Sequence, residues 1–213
     1  MKAELAAEFF GTGLLLAVVV GSGIMGEALS GGNAGIALLA NSLATGASLY
    51  VLIVALGPIS GAQLNPAVSL MLALRGEQPW RLTAAYVLAQ VCGAIIGVLL
   101  AHLMFGGNVF QVSTHLRAGP AQWLSELVAT AGLLAVILLC RRHRPDALPQ
   151  SVGLYILSAY WFTASTSFAN PAVALARALT DTFAGIAPAS VPGFIGAQLL
   201  AVATVAVVGR RRV

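Results

Sequence analysis

"TSFANPAVALAR", residues 166–177, contains a tetrapeptide that has already occurred once, inside "SGAQLNPAVSL" at residues 60–70. Asn is among the strongest helix N-caps, because its side-chain oxygen accepts from backbone N–H groups of the first turn. Pro suits the first helical position, where its missing N–H is not needed and its fixed φ fits the turn. Asn-Pro therefore reads as the start of a helix. One such start describes an ordinary capped helix. Two copies, half a chain apart, point to an architecture built around them.

Composition sets the medium. Of 213 residues, 59% are hydrophobic and 8% charged, and mean hydropathy is +0.91. A soluble domain carries roughly 25% charged residues. Eleven Lys and Arg with seven Asp and Glu cannot cover a soluble surface of this size. The chain reads as an integral membrane protein, with no nucleic-acid partner. Apolar segments at 3–24, 33–56, 80–104, 121–140, 150–166 and 189–209 each approach the ~20 residues a spanning helix needs. Two stretches at 65–74 and 170–179 begin at Asn-Pro-Ala and are too short to span. The first apolar run is longer than the hydrophobic part of a cleaved leader, so none is expected. Cys92 and Cys140 show no metal spacing.

Charge placement sets the expected orientation. In a six-span arrangement Lys2, Arg75, Arg81, Arg141, Arg142, Arg144, Arg210, Arg211 and Arg212 fall on one side, and Arg117 and Arg177 on the other. The excess of basic residues puts both termini and "RRHRPD" (141–146) in the cytoplasm. The halves also repeat. "AEFFGT" (7–12) matches "SELVAT" (125–130), "NPAVSL" (65–70) matches "NPAVAL" (170–175), and "AQVCGA" (89–94) matches "AQLLAV" (197–202). Three spans per half is an odd number, so the copies are expected to lie inverted, roughly 1–104 and 121–213, within one domain covering 1–213. Inverted repeats meeting at broken helices place a site near the bilayer midplane.

Two short-helix N-termini meeting there each bring roughly half a positive charge. Non-helical backbone at that depth is tolerated only where it is buried in protein or lines a cavity. Carbonyls of "GPISGAQL" (57–64) and "TASTSFA" (163–169) are then free to face a lumen. Such half-helix dipoles hold cations off a pore. The chain resembles the major intrinsic protein family, the aquaporins and aquaglyceroporins, along essentially its whole length. The resemblance rests on Glu8-x-x-x-Thr12, "SGAQLNPAV", the Ala89-Gln90 and Ala197-Gln198 pairs and "NPAV" at 170–173. It implies an all-α fold of six tilted helices and two half-helices, a homotetramer with one pore per subunit, and a place in the cell (inner) membrane. It also implies Asn65, Pro66, Ala67, Asn170, Pro171 and Ala172 as the paired pore motifs. Glu8 and Glu126 are implied as acceptors for the two re-entrant loops.

The chain departs from the family at Val173, where most members carry an arginine that narrows the outer constriction. The family's spacing puts the other constriction positions at Thr45, Ser158 and Ser167. The expected ring is small, uncharged and partly hydroxylated. Gln63 stands where many members have a histidine, which removes a titratable group from the inner vestibule. "YWFTASTSFANPAV" (160–173) resembles a bacterial branch often encoded beside arsenic-resistance genes. Passage of arsenite, and of methylated arsenicals, is implied by that likeness alone. Arg177, one turn beyond Val173, either pairs with Asp181 at i,i+4 or lines the outer vestibule.

The expected function is a passive channel for small uncharged solutes of glycerol size, with water. A water-selective pore is the alternative, and an ion-coupled transporter a remote one, since couplers need an ionisable residue at the midplane. No nucleophile, base or metal cluster marks an enzyme, and no cofactor or metal is expected.

Overall fold

The computed structural model describes residues 1–210, and Arg211 and Arg212 lie outside the described residues. Among the described residues the chain is all-helical. Helix α1 spans Lys2–Leu29, α2 Ala34–Ser60, α4 Trp80–Met104, α5 Pro120–His143, α6 Leu148–Phe162 and α8 Val191–Arg210. Between them sit two short helices, α3 (Pro66–Leu74) and α7 (Pro171–Ala176). Five of the helices are long and apolar enough to cross a membrane.

The exception is α6. The apolar run expected to be helical to residue 166 ends at Phe162, and Thr163 is already extended. Fifteen residues span roughly 22 Å at 1.5 Å each, and the 3₁₀ turn Pro145–Ala147 extends the segment at its start. The second short helix also differs from expectation. It tightens into a 3₁₀ turn at Arg177–Leu179 instead of running on as one helix.

Sequence explains the ends. Asn33 caps α2, its Oδ1 accepting from Gly35 N at 3.0 Å and Ile36 N at 3.2 Å. Gly61, at φ 84°, closes the same helix in the left-handed region where glycine is unstrained. Asn65 and Asn170 cap α3 and α7 with nearly the same backbone, φ −158° and ψ 118° and 114°.

Helix α1 lies along α4, and α5 along α8. The first pair is pressed together by glycines. A Cβ on Gly93 would collide with Phe9 O, and one on Gly97 with Gly13 O. The Gly93-x-x-x-Gly97 ridge thus brings backbone against backbone. Each short helix is seated mainly in the other half of the chain. Around α7, Val173 and Ala174 share a core with Leu16 and Val20 of α1 and Val98 of α4. Around α3, Val68 and Met71 share one with Leu133 and Leu134 of α5 and Ile156 of α6. Phe10, Leu88, Leu154 and Leu200 point away from these cores and stay exposed, as side chains facing lipid do.

Candidate functional site: a pore at two broken helices

The loops ahead of the two short helices have unusual backbones. Ala62, Leu64, Thr166, Ser167 and Ala169 all have positive φ without being glycine. Each such residue costs of order 1–2 kcal/mol, so something must hold the loops open. Two buried carboxylates do it. Glu8 Oε1 accepts from Gln63 N at 2.9 Å and Ser60 Oγ at 2.6 Å, and Oε2 from Leu64 N at 2.7 Å. Glu126 Oε1 accepts from Phe168 N at 2.8 Å and Oε2 from Ala169 N at 2.9 Å. A glutamine completes each cradle. Gln90 Nε2 donates to Glu8 at 2.8 Å and Gln198 Nε2 to Glu126 at 2.6 Å. With their N–H groups turned to the acids, the loops' carbonyls are directed elsewhere. Among the described residues no donor meets those of Gly61, Ala62, Gln63, Thr166, Ser167 or Phe168.

The asparagines tie the loops to each other. Asn65 Nδ2 donates to Ala169 O at 2.8 Å, and Asn170 Nδ2 to Leu64 O at 2.9 Å. Their Oδ1 atoms cap the short helices, accepting from Ala67 N at 2.8 Å and Ala172 N at 3.0 Å. A carboxamide has two N–H donors, so each asparagine keeps one free. Both asparagines line a cavity of about 470 Å³. Pro66, Ala67, Pro171 and Ala172 are buried beneath them and form the first turns of α3 and α7.

The cavity runs from Glu77, Gln78, Arg141 and Pro145 at one end, past Gln63, Asn65 and Asn170, to Thr45, Ser167 and Val173 at the other. Three of the four expected ring positions come together there. Ser158 does not. It is exposed on the outer face of α6, and its Oγ donates to Tyr155 O at 2.8 Å. Two residues along a helix turn a side chain by about 200°, so Ile156 and Tyr160 point inward where Ser158 points out. Ile156 lines the cavity, and the Tyr160 hydroxyl meets Thr45 Oγ1 at 3.3 Å. Ser158, expected in the ring, thus stands off the cavity that Thr45, Ser167, Val173 and Ile156 line, and Tyr160 sits behind Thr45. Ser158→Ala is therefore expected to leave solute flux within about 20% of the parent and to change stability by less than about 0.5 kcal/mol. Swelling assays at matched protein density check this, and a clear change in flux would return Ser158 to the pore wall.

At the cavity's other end Gln63 sits in a chain of hydrogen bonds. Its Nε2 donates to Gln78 Oε1 at 2.5 Å, and its Oε1 accepts from Ser69 Oγ at 2.6 Å. Gln90 Nε2 also reaches Ser69 Oγ, at 3.0 Å, linking this chain to Glu8. Glu77 bridges Arg75 and Arg141 at 2.6 and 2.9 Å, which ties the turn after α3 to the end of α5.

Arg177 follows neither expectation. Asp181 is engaged elsewhere, accepting from Thr114 N at 2.8 Å and Thr114 Oγ1 at 2.9 Å. Those bonds hold its carboxyl below the usual range, and no ion pair with Arg177 forms. Nor does Arg177 line the cavity. It is 2% exposed, its Nε donates to Ala184 O, and its guanidinium lies over the Phe168 ring at 3.5 Å from the centroid. No sequence motif marks Arg117, Phe168 or Tyr160 as residues of the site. Arg117 and Phe168 lie about fifty positions apart, with no shared spacing to join them. The matched Ala-Gln pairs were visible as repeats, but the partners of Gln90 and Gln198 were not. Among the described residues no group of three His, Cys, Asp or Glu side chains gathers as a metal site.

Comparison with known proteins agrees with this fold. Over 194 residues the chain is 61% identical to the aquaglyceroporin AqpS of Rhizobium meliloti, covering 91% of this chain and 83% of that one. It is 33% identical over 167 residues to an aquaporin Z of Bradyrhizobium diazoefficiens, covering 71% and 69%. It is 31% identical over 150 residues to a probable glycerol uptake facilitator protein of Thermotoga maritima, covering 62% of each. The crystal structure of the aquaglyceroporin from Plasmodium falciparum superposes with a TM-score of 0.71 over 97% of this chain and 93% of that one. At 22% identity it speaks for the fold. Residues 1–164 match the family described as major intrinsic protein, and the chain belongs to that family of membrane channels, which are not enzymes.

Proposed function

We propose that this channel for small uncharged solutes passes glycerol-sized polyhydroxy solutes, arsenous acid among them, together with water. The observation that carries the proposal is Val173, which lines the cavity beside Thr45 and Ser167. No charged side chain stands at that level, since Glu77 and Arg141 line only the opposite end. A wall that carries both methyls and hydroxyls suits a solute with an apolar backbone and several OH groups. The names of the relatives AqpS and glycerol uptake facilitator favour the same class. Methylated arsenicals, with a methyl in place of a hydroxyl, fit the same wall.

The proposed pore motifs are Asn65, Pro66 and Ala67 with Asn170, Pro171 and Ala172. Thr45, Ser167 and Val173 form the filter, and Gln63 lines the inner vestibule. In this reading residues 1–213 are one domain of two inverted copies, 1–104 and 121–213. It forms a homotetramer in the bacterial inner membrane, with both termini cytoplasmic as the basic residues imply. Ion coupling has little support. Glu8 and Glu126 are each held by loop donors and by a glutamine of a neighbouring helix, which gives both a scaffold role.

The test is stopped-flow light scattering of proteoliposomes in glycerol, arsenous acid and sucrose gradients. Glycerol and arsenous acid influx well above protein-free liposomes is the expected result. Water flux without either would establish the water-selective alternative, for which the bulk of Tyr160 beside Thr45 is the supporting observation.

A further inference from the structure

The wall at Val173 carries no charge, yet two guanidiniums converge just behind it. Arg177 stacks on the Phe168 ring at 3.5 Å. Arg117 reaches the same ring at 5.5 Å. Phe168 itself lines the cavity next to Ser167, and its edge-to-face contact with Phe194, at 5.0 Å between centroids, fixes its plane. Three consecutive carbonyls hold the arginines. Arg117 Nε donates to Gly185 O at 2.8 Å and Nη2 to Phe183 O at 3.4 Å, while Arg177 Nε donates to Ala184 O. Carbonyl dipoles anchor a cation without neutralising it. Among the described residues no carboxylate lies within ion-pair distance of either guanidinium. Arg177 Nη1 is buried without a hydrogen-bond partner. The acid nearest by connection is Glu126, bonded to the Phe168 amide at 2.8 Å. It offsets one of the two charges and leaves a net positive charge behind the ring.

We propose that Arg177 and Arg117 set the charge selectivity of the pore from behind Phe168, supplying the positive potential that the Val173 wall lacks. The two functions of a filter arginine, bulk and charge, are separated here. Bulk is absent from the lumen, so larger neutral solutes fit. Charge is kept at a distance where it costs no width. The low-dielectric surroundings let a fixed charge act across several ångströms of protein, where it adds to the half-helix N-termini of α3 and α7 in repelling cations. This inference rests on the pore reading above.

The test measures proton and K⁺ leak, each as a ratio to glycerol flux, in proteoliposomes of parent, Arg117→Gln, Arg117→Lys, Arg177→Gln and Arg177→Lys. Glutamine keeps a donor for the carbonyls but removes the charge, whereas lysine keeps the charge. Arg177→Gln should raise both leak ratios by roughly tenfold, as loss of a unit charge in a low dielectric implies. Arg117→Gln should raise them by a smaller but measurable factor, because its side chain is only half-buried, and the lysine variants should stay near the parent. Adding Val173→Arg to Arg177→Gln should lower the leak again. Glutamine variants with parental leak ratios would overturn the proposal and leave both arginines as loop anchors. Equal leak in glutamine and lysine variants would overturn it as well. Should Arg177→Gln not assemble, the half-buried Arg117 pair decides the matter alone. A parent that passes water but no glycerol would instead establish the water-selective alternative, and its leak measured against water flux still tests the charges.

Discussion

Glu126→Gln is expected to destabilise the inserted protein by about 3 kcal/mol, the scale of losing charge-assisted hydrogen bonds and leaving a buried donor unmet. The geometry shows why a near-isosteric change is so costly. Glu126 accepts from Phe168 N, Ala169 N and Gln198 Nε2. A glutamine keeps one acceptor and turns the other oxygen into an NH₂ donor. Gln198 can rotate its amide to suit, because its own Oε1 has no partner. The backbone amides of Phe168 and Ala169 cannot rotate, so one of them faces another donor. With that restraint gone, the left-handed residues Ser167 and Ala169 lose what offsets their backbone cost. Detergent or thermal unfolding, together with the yield of assembled protein, reads the effect. A variant of parental stability that has lost solute flux would place Glu126 in the permeation path and refute its role as a loop anchor.

Val173→Arg is expected to change selectivity more than any other single substitution. The valine is buried against the cavity wall, at the end where Thr45 and Ser167 also face in. An arginine there adds a long planar group, a permanent charge and five donors. Glycerol and arsenous acid flux should fall by at least about tenfold relative to water, the size of an added barrier of ~1.4 kcal/mol. Methylated arsenicals should fall furthest. The new guanidinium would also enter a region that already holds Arg177 and Arg117 around Phe168, so like-charge repulsion should reduce assembly somewhat. The ratio of glycerol to water flux at matched insertion is the measurement. An unchanged ratio would mean that Val173 lies off the permeation path.

Much of this molecule could be read before any coordinates. Asn-Pro marks a helix start by local chemistry alone, and both starts are where the repeats put them. Glu8 and Glu126 stand out because an acid inside an apolar helix must find partners, while the loops as those partners are implied by the family resemblance. The register at Ser158 was not. Helix α6 is short and apolar nearly all round, so no periodic pattern tells one face from another, and counting spacing from a distant motif slipped to the wrong side. Arg177 failed for a different reason. An i,i+4 partner is a statement about an isolated helix, and here the helix tightens to 3₁₀ at Arg177 while a loop nearly seventy residues away binds Asp181. Pairings made by loops across the molecule leave no trace in local sequence.

The seating of each short helix in the opposite half has a consequence for how the protein is made. Glu8 is synthesised some fifty residues before the loop it holds, and Glu126 some forty before its own, so each anchor is already in the bilayer when its loop emerges. The first short helix is less fortunate. It packs on α4 and α8, with side chains of α5 and α6 in the same core, and Asn65 Nδ2 donates to Ala169 O, none of which exists when α3 leaves the ribosome. For the time taken to add about a hundred residues, several seconds at ordinary elongation rates, the nascent chain must shelter a half-inserted helix with a bare polar cap. Translocon or lipid must supply that shelter, and the pore can close around its midpoint only when the second Asn-Pro-Ala arrives.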